Sequence, residues 1–548
     1  MIDTRIAEWK HLISFGELDN LLIMGNNIPP VGLISGLSSI AKKIFIACQK
    51  KHYIKDYYND NEKLKHNVVL MPQEDDINNL PFAESSLQAI TIINAPYKIE
   101  SLLRFCHKTL SQNGYVIFIL KHKNFMQKLL TRLTTTTTIK SISDLQKKAQ
   151  SYNFSNFRTY GLVPSFDEVR WIIPLSSGRI IANSLSIYLP RLIGAKIKKR
   201  AARFLSKIGL KQLWTVHHIF IAKKTSGTMN KQHADLAYNL KKILKKDNIE
   251  LCFFTGTPGY YQKTTVQIMD GKGSIIAYAK IAEQPQTKAV LENEILILNK
   301  LKALNLKTGS VPEAIYYGDM GRKTLLVQSA VEKPSLYSTH KLTQAHIDFL
   351  TEIFSKTAKK QLFKESRHLS EFKKQIMQFQ GTIPDKWEHI LGKSLEIISH
   401  NLSNEYIPLG LGHKDFTPWN TLNDKGSLFV IDWEMAQDNV IPFYDIFHFY
   451  VQQAIVSDYA HLEKLLKKLL LINTLSAEIY KSYNISAHIN SALLYYFLLF
   501  YLWDSCAFYI FITKHYWDNI EEHKTIVKRI QMIDILLKLD KSELLNAI

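Results

Sequence analysis

Five short runs of branched and aromatic residues punctuate the first 225 positions: NLLIMG (20–25), KIFIAC (43–48), NVVLMP (67–72), QAITIIN (88–94) and GYVIFIL (114–120). Their apolar residues follow one another rather than alternating with polar ones, which predicts strands buried on both faces. Between them lie stretches such as KIESLLRFCHKTL (98–110), where apolar residues recur at helical spacing. Alternating β and α segments predict a doubly wound, mostly parallel sheet.

The texture changes at KKTSGTMNKQH (223–233), a polar stretch with Gly and Ser that reads as a linker. Beyond it, FFTGTPGYYQKTTVQIMDGKGSIIAYAKI (253–281) predicts strand, glycine turn, strand, turn, strand, with DGKG as a hairpin signal. LENEILILNKLKAL (291–304) is helical, with Leu291, Ile295, Leu298 and Leu301 as its apolar stripe, and LLVQSAV (325–331) supplies another strand. The remainder is mostly helical. The chain therefore divides into an α/β domain at 1–225, a linker at 226–234 and a second domain at 235–548. That second domain has a β-rich lobe at 235–332 and a helical lobe at 333–548. ALLYYFLLFYLWDSCAFYIFI (492–512) is long enough to span a membrane, but it contains Asp504 and several tyrosines, which predicts a buried helix instead.

Composition adds a charge argument. Lys and Arg number 69 against 49 Asp and Glu, a net +20, which suits anions in general, whether nucleotides, nucleic acid, acidic lipids or acidic glycans. A nucleic-acid partner is not expected. RLIGAKIKKRAARFLSKIGLK (191–211) is basic and amphipathic, a candidate peripheral contact with an anionic membrane. The four cysteines, Cys48, Cys106, Cys252 and Cys506, are scattered without a CxxC pair, and the first twenty residues have no apolar signal core. A cytoplasmic protein, peripheral to a membrane at most, is expected.

The chemistry concentrates in GHKDFTPWNTL (412–422) and FVIDWE (429–434). Phosphoryl transfer needs a carboxylate to orient the acceptor hydroxyl and oxygen ligands for Mg²⁺ on the phosphates. Asp415 is the candidate base; Asn420 and Asp432 are candidate metal ligands. In the β-rich lobe, Gly256 and Gly259 are placed to lay backbone N–H groups over phosphates. Strand residue Lys280 and helix residue Glu294 are placed to pair and hold ATP.

HKDFTPWN followed by IDWE resembles the aminoglycoside phosphotransferase and choline kinase family, a branch of the protein-kinase-like fold. The resemblance covers roughly 235–515 and implies ATP- and Mg²⁺-dependent transfer to a hydroxyl of a small molecule: an amino alcohol, sugar, antibiotic or glycolipid head. It implies Asp415 as base, Asn420 and Asp432 on the metal, Lys280 and Glu294 on the phosphates, and His413 and Asp445 as braces of the catalytic loop. Lys414 stands where the family usually has glycine. Glu434 and Asp504 are candidate contacts for a cationic acceptor, with a structural role the favoured reading of both.

The first domain resembles a class I methyltransferase. LPFAESSLQAITIINAPYKIESLLRFCHKTLSQNGYVIFIL (80–120) is similar to that family's fourth strand, helix and fifth strand. Its cofactor turn departs from the pattern: MGNNIPPVG carries Gly25 alone at the front, and CQKK from Cys48 lacks the acidic residue for ribose. These departures weigh against S-adenosylmethionine and favour a domain kept for docking or stability. The expected fold is thus multidomain, α/β plus α+β: a methyltransferase-like doubly wound sheet, then a bilobal protein-kinase-like fold. The rival readings are a bifunctional methyltransferase–kinase, a protein kinase and a non-catalytic binding module. PFYD follows Asp432 closely, leaving little room for a peptide-binding segment.

Overall fold

The computed structural model describes residues 3–13, 17–48, 67–72, 74–94, 96–121, 142–184, 217–224, 235–331, 340–424, 427–470, 491–514 and 519–539. The basic stretch at 191–211 and the linker at 226–234 lie outside the described residues.

The N-terminal sheet uses β1 (Leu18–Gly25), β2 (Ala41–Cys48), β3 (Val68–Pro72), β4 (Leu87–Ile93), β5 (Leu110–Lys121), β6 (Phe154–Pro164), β7 (Val169–Pro174) and β8 (His217–Lys224). Strands β3, β2, β1, β4 and β5 run parallel in that spatial order, and β8 inserts antiparallel between β5 and β6. This is the doubly wound sheet the apolar runs predict. Leu21 and Ile23 of β1 face one core and Leu22 and Met24 the other, so both faces are covered. Helices α1 (Val31–Leu37), α2 (Ile99–Thr109), α3 (Ile142–Ser151) and α4 (Gly178–Ser184) accompany these strands.

The sheet does not stop at the expected boundary. After α5 (Leu236–Leu244) come β9 (Ile249–Phe254), β10 (Thr264–Asp270) and β11 (Ile275–Ala282). Following α6 (Pro285–Ala303) come β12 (Gly309–Ser310), β13 (Ala314–Met320) and β14 (Lys323–Ser329). β9, β10, β11, β14 and β13 form the antiparallel β-rich lobe, and β9 pairs with β7 through Trp171↔Phe254 and Ile172↔Phe253. The result is one 13-stranded sheet. A single apolar core runs from Leu21 and Ile117 across to Phe253, Val266 and Val327.

The first residues strengthen this junction. Arg5–Leu12 form a 3-10 helix that is buried throughout. It lies on α1, where Gly36 leaves no Cβ to strike Ala7. On its other side Lys10 meets Glu283 at 2.8 Å, Lys323 meets Glu283 at 3.3 Å, and Thr264 donates to Glu8. Buried charges are tolerable only when paired in this way.

The helical lobe contains α7 (Gln344–Thr357), α8 (His368–Phe379), α9 (Asp385–Leu402), α10 (Tyr444–Val456), α11 (Leu462–Leu470), α12 (Ser491–Lys514) and α13 (Lys524–Lys538). Short strands β15 (Lys359–Leu362), β16 (Tyr406–Gly412), β17 (Thr421–Asp424), β18 (Ser427–Val430) and β19 (Gln437–Val440) carry the loops of the site. By length and composition α12 is apolar enough to cross a membrane. Here it is the lobe's central helix, with Leu498, Tyr501, Trp503, Cys506 and Ile510 buried in the lobe's main core.

Candidate active site

The site lies where the β-rich lobe meets the helical lobe. Lys280 is on β11, which runs between β10 and β14, so the lysine is interior rather than on a sheet edge. Its Nζ donates to both oxygens of Glu294 on α6, each at 2.7 Å, and to Asp432 Oδ1 at 2.6 Å. Glu294 is wholly buried. Burial alone would lower the Lys280 pKa; the Asp432, Glu294 and Glu434 carboxylates outweigh it and hold the ammonium charged. Burial likewise opposes ionisation of Asp432, and Lys280 and Lys263 reverse that, keeping its pKa well below the usual carboxylate range.

Asp432 follows β18 in the left-handed region, φ 69°, which Asp tolerates better than most side chains. The β17–β18 hairpin pairs Thr421 with Val430, and Ile431 N–H donates to Asn420 O at 2.9 Å. Asn420 and Asp432 therefore sit at adjoining corners of the hairpin's base. Asn420 Nδ2 donates to Asp415 Oδ2 at 2.8 Å and to Asp415 O at 2.9 Å. That engages the amide nitrogen and leaves the amide oxygen available as a hard ligand. The donor set fits Mg²⁺: Asp432 carboxylate and Asn420 carbonyl oxygen, beside a lysine that neutralises phosphate. The Glu294, Asp432 and Glu434 carboxylates each offer an oxygen within 4.8 Å of the others, but Lys280 already meets all three.

The loop after β16, which carries Asp415, is braced from below. Asp445, at the start of α10, accepts from His413 N–H and Lys414 N–H, each at 2.8 Å. His413 Nδ1 accepts from Asp415 N–H at 3.2 Å and its Nε2 meets Ile431 O at 3.0 Å, so one ring ties Asp415 to the strand before Asp432. Lys414 has φ 60°, a conformation that glycine adopts freely and that costs a side-chain residue roughly 1–2 kcal/mol. Its contacts offset this: Nζ is 2.9 Å from Asp504 Oδ2 and donates to Gln437 at 2.9 Å.

The glycine turn is asymmetric. Gly256 has φ 73°, and a Cβ there would meet Lys263 O at 2.7 Å; Gly259 has nothing within 4 Å of its Cβ position. Gly256 shapes the turn, and Gly259 leaves room for a ligand to approach backbone. The two tyrosines after Gly259 reach the other lobe: Tyr261 stacks on Phe508 at 6.3 Å and Tyr260 meets Phe511 edge-on at 5.6 Å, both on α12.

Two residues were not singled out by sequence reasoning. Lys263 closes the turn and forms an ion pair with Glu434, whose carboxyl burial and Asp432 push up to about 7. His448 on α10 contacts Asp415 Oδ1 at 3.1 Å. It stands within the phrase PFYDIFHF, one helical turn after Asp445, which is a usable signal. Glu434 and Asp504, expected to be structural rather than contacts for a cationic acceptor, are both in ion pairs. Each already pairs with a lysine, Lys263 and Lys414 respectively.

Residues 258–459 match the phosphotransferase enzyme family. The matched segment runs from the glycine turn through Lys280, Asp415 and Asp432 to α10, and is less than half of the chain. No curated protein matches the sequence significantly. Among solved structures, ADP-bound aminoglycoside phosphotransferase APH(2'')-Ib is 14% identical, with a TM-score of 0.36, and covers 55% of this chain and 99% of its own. A thermostable mutant of aminoglycoside phosphotransferase APH(4)-Ia gives 11% identity and a TM-score of 0.37 over 55% of this chain and 97% of that one. Phosphoethanolamine N-methyltransferase 2 of Haemonchus contortus is 13% identical with a TM-score of 0.26; the match takes in 40% of this chain and about half, 52%, of the other. Scores this low carry nothing further.

In the turn after β1, which the sequence likens to a cofactor turn, the glycines pack against the protein's own chain. The Cβ that Gly25 lacks would meet Ile93 O at 2.8 Å, and the one Gly32 lacks would meet Asp3 O at 1.9 Å. The protein's own chain fills both spaces. α1 starts after Pro30, and β2 ends at Cys48 without an acidic residue.

Proposed function

We propose that the phosphotransferase-family segment transfers the γ-phosphoryl group of ATP, with Mg²⁺, to a hydroxyl of a small molecule. The observation that carries this reading is the contact of Lys280 with both Glu294 and Asp432 across the two lobes, beside an Asp415–Asn420 pair joined to Asp432 through the hairpin. Such a site positions and neutralises; phosphoryl transfer asks little else of a protein. Lys280 would hold the phosphates, with Glu294 fixing its ammonium. Asp432 and Asn420 would hold Mg²⁺, which neutralises charge building on the phosphate oxygens. Asp415 would orient the acceptor hydroxyl and take its proton. The Gly256–Lys263 turn would lay backbone over the phosphates. The N-terminal sheet, continuous with the β-rich lobe, would serve as its rigid support. The four cysteines are buried and form no disulfide, which suits a cytoplasmic setting.

Calorimetric titration of ATP with and without Mg²⁺ tests this reading on the wild type and Asp432→Ala. Mg²⁺-dependent binding to the wild type, weakened at least about tenfold in the variant, is the expected result. Wild-type protein that takes up no ATP would overturn the assignment.

A further inference from the structure

Asp415 has a partner that its own loop does not supply. His448 is buried on α10, and its Nε2 lies 3.1 Å from Asp415 Oδ1. An ionised carboxylate only accepts, so this Nε2 carries the hydrogen. The ring's other nitrogen, Nδ1, lies 3.4 Å from the Tyr501 hydroxyl on α12, a longer contact in which Tyr501 donates. From the opposite side Asn420 Nδ2 donates to Asp415 Oδ2 at 2.8 Å. Each carboxylate oxygen is thus held by one donor from a different element and keeps a second lone pair.

The arrangement differs from a histidine packed for bulk. Both ring nitrogens meet polar side chains, in a file that runs from the lobe's core through the ring to the cleft. Tyr501 is wholly buried, whereas the Asp415 side chain is about a third exposed, at 32%. A carboxylate at that depth turns freely unless something fixes its plane.

We propose that His448 is the positioning residue of the catalytic base. Its Nε2–H fixes Asp415 Oδ1 so that a free lone pair faces the acceptor hydroxyl, and Tyr501 fixes the ring. This rests on the reading of Asp415 as the base. In the transfer the acceptor O–H bond breaks as its oxygen bonds the γ-phosphorus, the bond from phosphorus to the ADP oxygen breaks, and the proton passes to Asp415. His448 keeps its own proton throughout.

Two measurements on the full chain test the proposal. In ¹⁵N-histidine-labelled protein, the His448 resonances, identified by their loss in His448→Gln, should show the Nε2-protonated tautomer and should change in Asp415→Ala. An Nδ1-protonated ring, or one indifferent to Asp415→Ala, overturns the contact whether or not the protein turns over ATP. The second measurement is Mg²⁺-ATP hydrolysis with water as acceptor. His448→Leu should lower kcat about 100-fold, since misplacing a reacting group by an ångström costs that much. ATP affinity should stay within about twofold, and His448→Gln, whose amide nitrogen reaches the Nε2 position, should recover to within about tenfold of wild type. Equal losses in the two variants, or a loss of ATP affinity matching the loss of rate, overturns positioning in favour of a structural role. Absence of ATP binding in the wild type would sink the kinase assignment instead, and the tautomer measurement would still decide the contact.

Discussion

The turn after β1 and the loop after β16 make an instructive pair. Each leaves a buried strand and places polar residues and glycine at the end of a sheet. In the first, the close approaches go to the protein itself: Gly25 to Ile93 O, Gly32 to Asp3 O, Gly36 to Ala7. In the second, His413, Asp415 and Asn420 of the loop and Asp445 of α10 bond one another, and Asp415 and Asn420 retain unused oxygen lone pairs. The difference lies in spare capacity. A turn whose freedom is used up by its own chain supports the fold; one whose polar atoms are fixed yet unsaturated can meet a substrate.

Breaking the charged centre should have the larger effect. Lys280→Met leaves Glu294 buried without its cation and Asp432 without its lysine. Removing one partner of a buried pair costs about 3–5 kcal/mol, so a large fall in unfolding free energy is expected by denaturant titration, together with loss of ATP binding. Lys280→Met/Glu294→Leu should regain much of that stability, because apolar replacements of similar volume relieve the stranded charge. It should regain no ATP binding. Recovery of both would show that Lys280 only stabilises the lobe.

Acid should separate the regions next. His346 lies beneath the catalytic loop against Phe416 and Phe449, and burial depresses its pKa to about 4. Its Nδ1 accepts from Thr343 N–H at 3.2 Å, capping α7. A histidine neutral in the fold contributes stability that is fully present above about 6.5 and lost as pH falls through about 4. The window is worth about 3 kcal/mol. His11, at the domain junction, is likewise held near 4, by burial and then Lys323. His346→Gln should flatten the acid limb of the helical lobe's stability, followed by tryptophan emission, since Trp433 and Trp503 are in that lobe's core. An unchanged acid limb would place the acid sensitivity elsewhere, with His11 the residue to substitute next.

The candidate site was legible in the sequence because its parts are local: Asp415, Asn420 and Asp432 belong to one loop and hairpin, and Lys280 and Glu294 to consecutive elements. The apolar runs likewise carried the doubly wound sheet, since strands buried on both faces need continuous apolar residues. What was missed depends on long-range closure. Nothing in VRWIIP or ELCFF says that β7 will pair with β9 and fuse two sheets, because two-sided apolar strands suit many neighbours. Lys263 reads as an ordinary turn lysine until Glu434, from the other lobe, is folded against it. His448 was the closest miss: it stands three residues from Asp445, a spacing that puts the two on one face once the segment is helical.

The smallest expected effects come from glycine, at Gly36 in α1 and at Gly259 in the turn between β9 and β10. Gly36→Ala would bring a Cβ to 2.4 Å from Ala7 Cβ, with Thr4 O at 3.2 Å, so the buried 3-10 helix must shift. Overpacking of this kind costs about 1–3 kcal/mol, read as a lower Tm with ATP affinity unchanged. Gly259→Ala meets nothing within 4 Å, and its φ lies outside the left-handed region. Stability should therefore move by less than about 0.5 kcal/mol, as for a surface change that touches nothing. ATP affinity should nevertheless fall, because the added methyl occupies the space through which phosphate would reach the backbone N–H groups. If both variants change only stability, or Gly259→Ala changes nothing, the turn between β9 and β10 is no more a ligand site than the turn after β1. The phosphate contacts would then have to come from Lys280 and the metal alone.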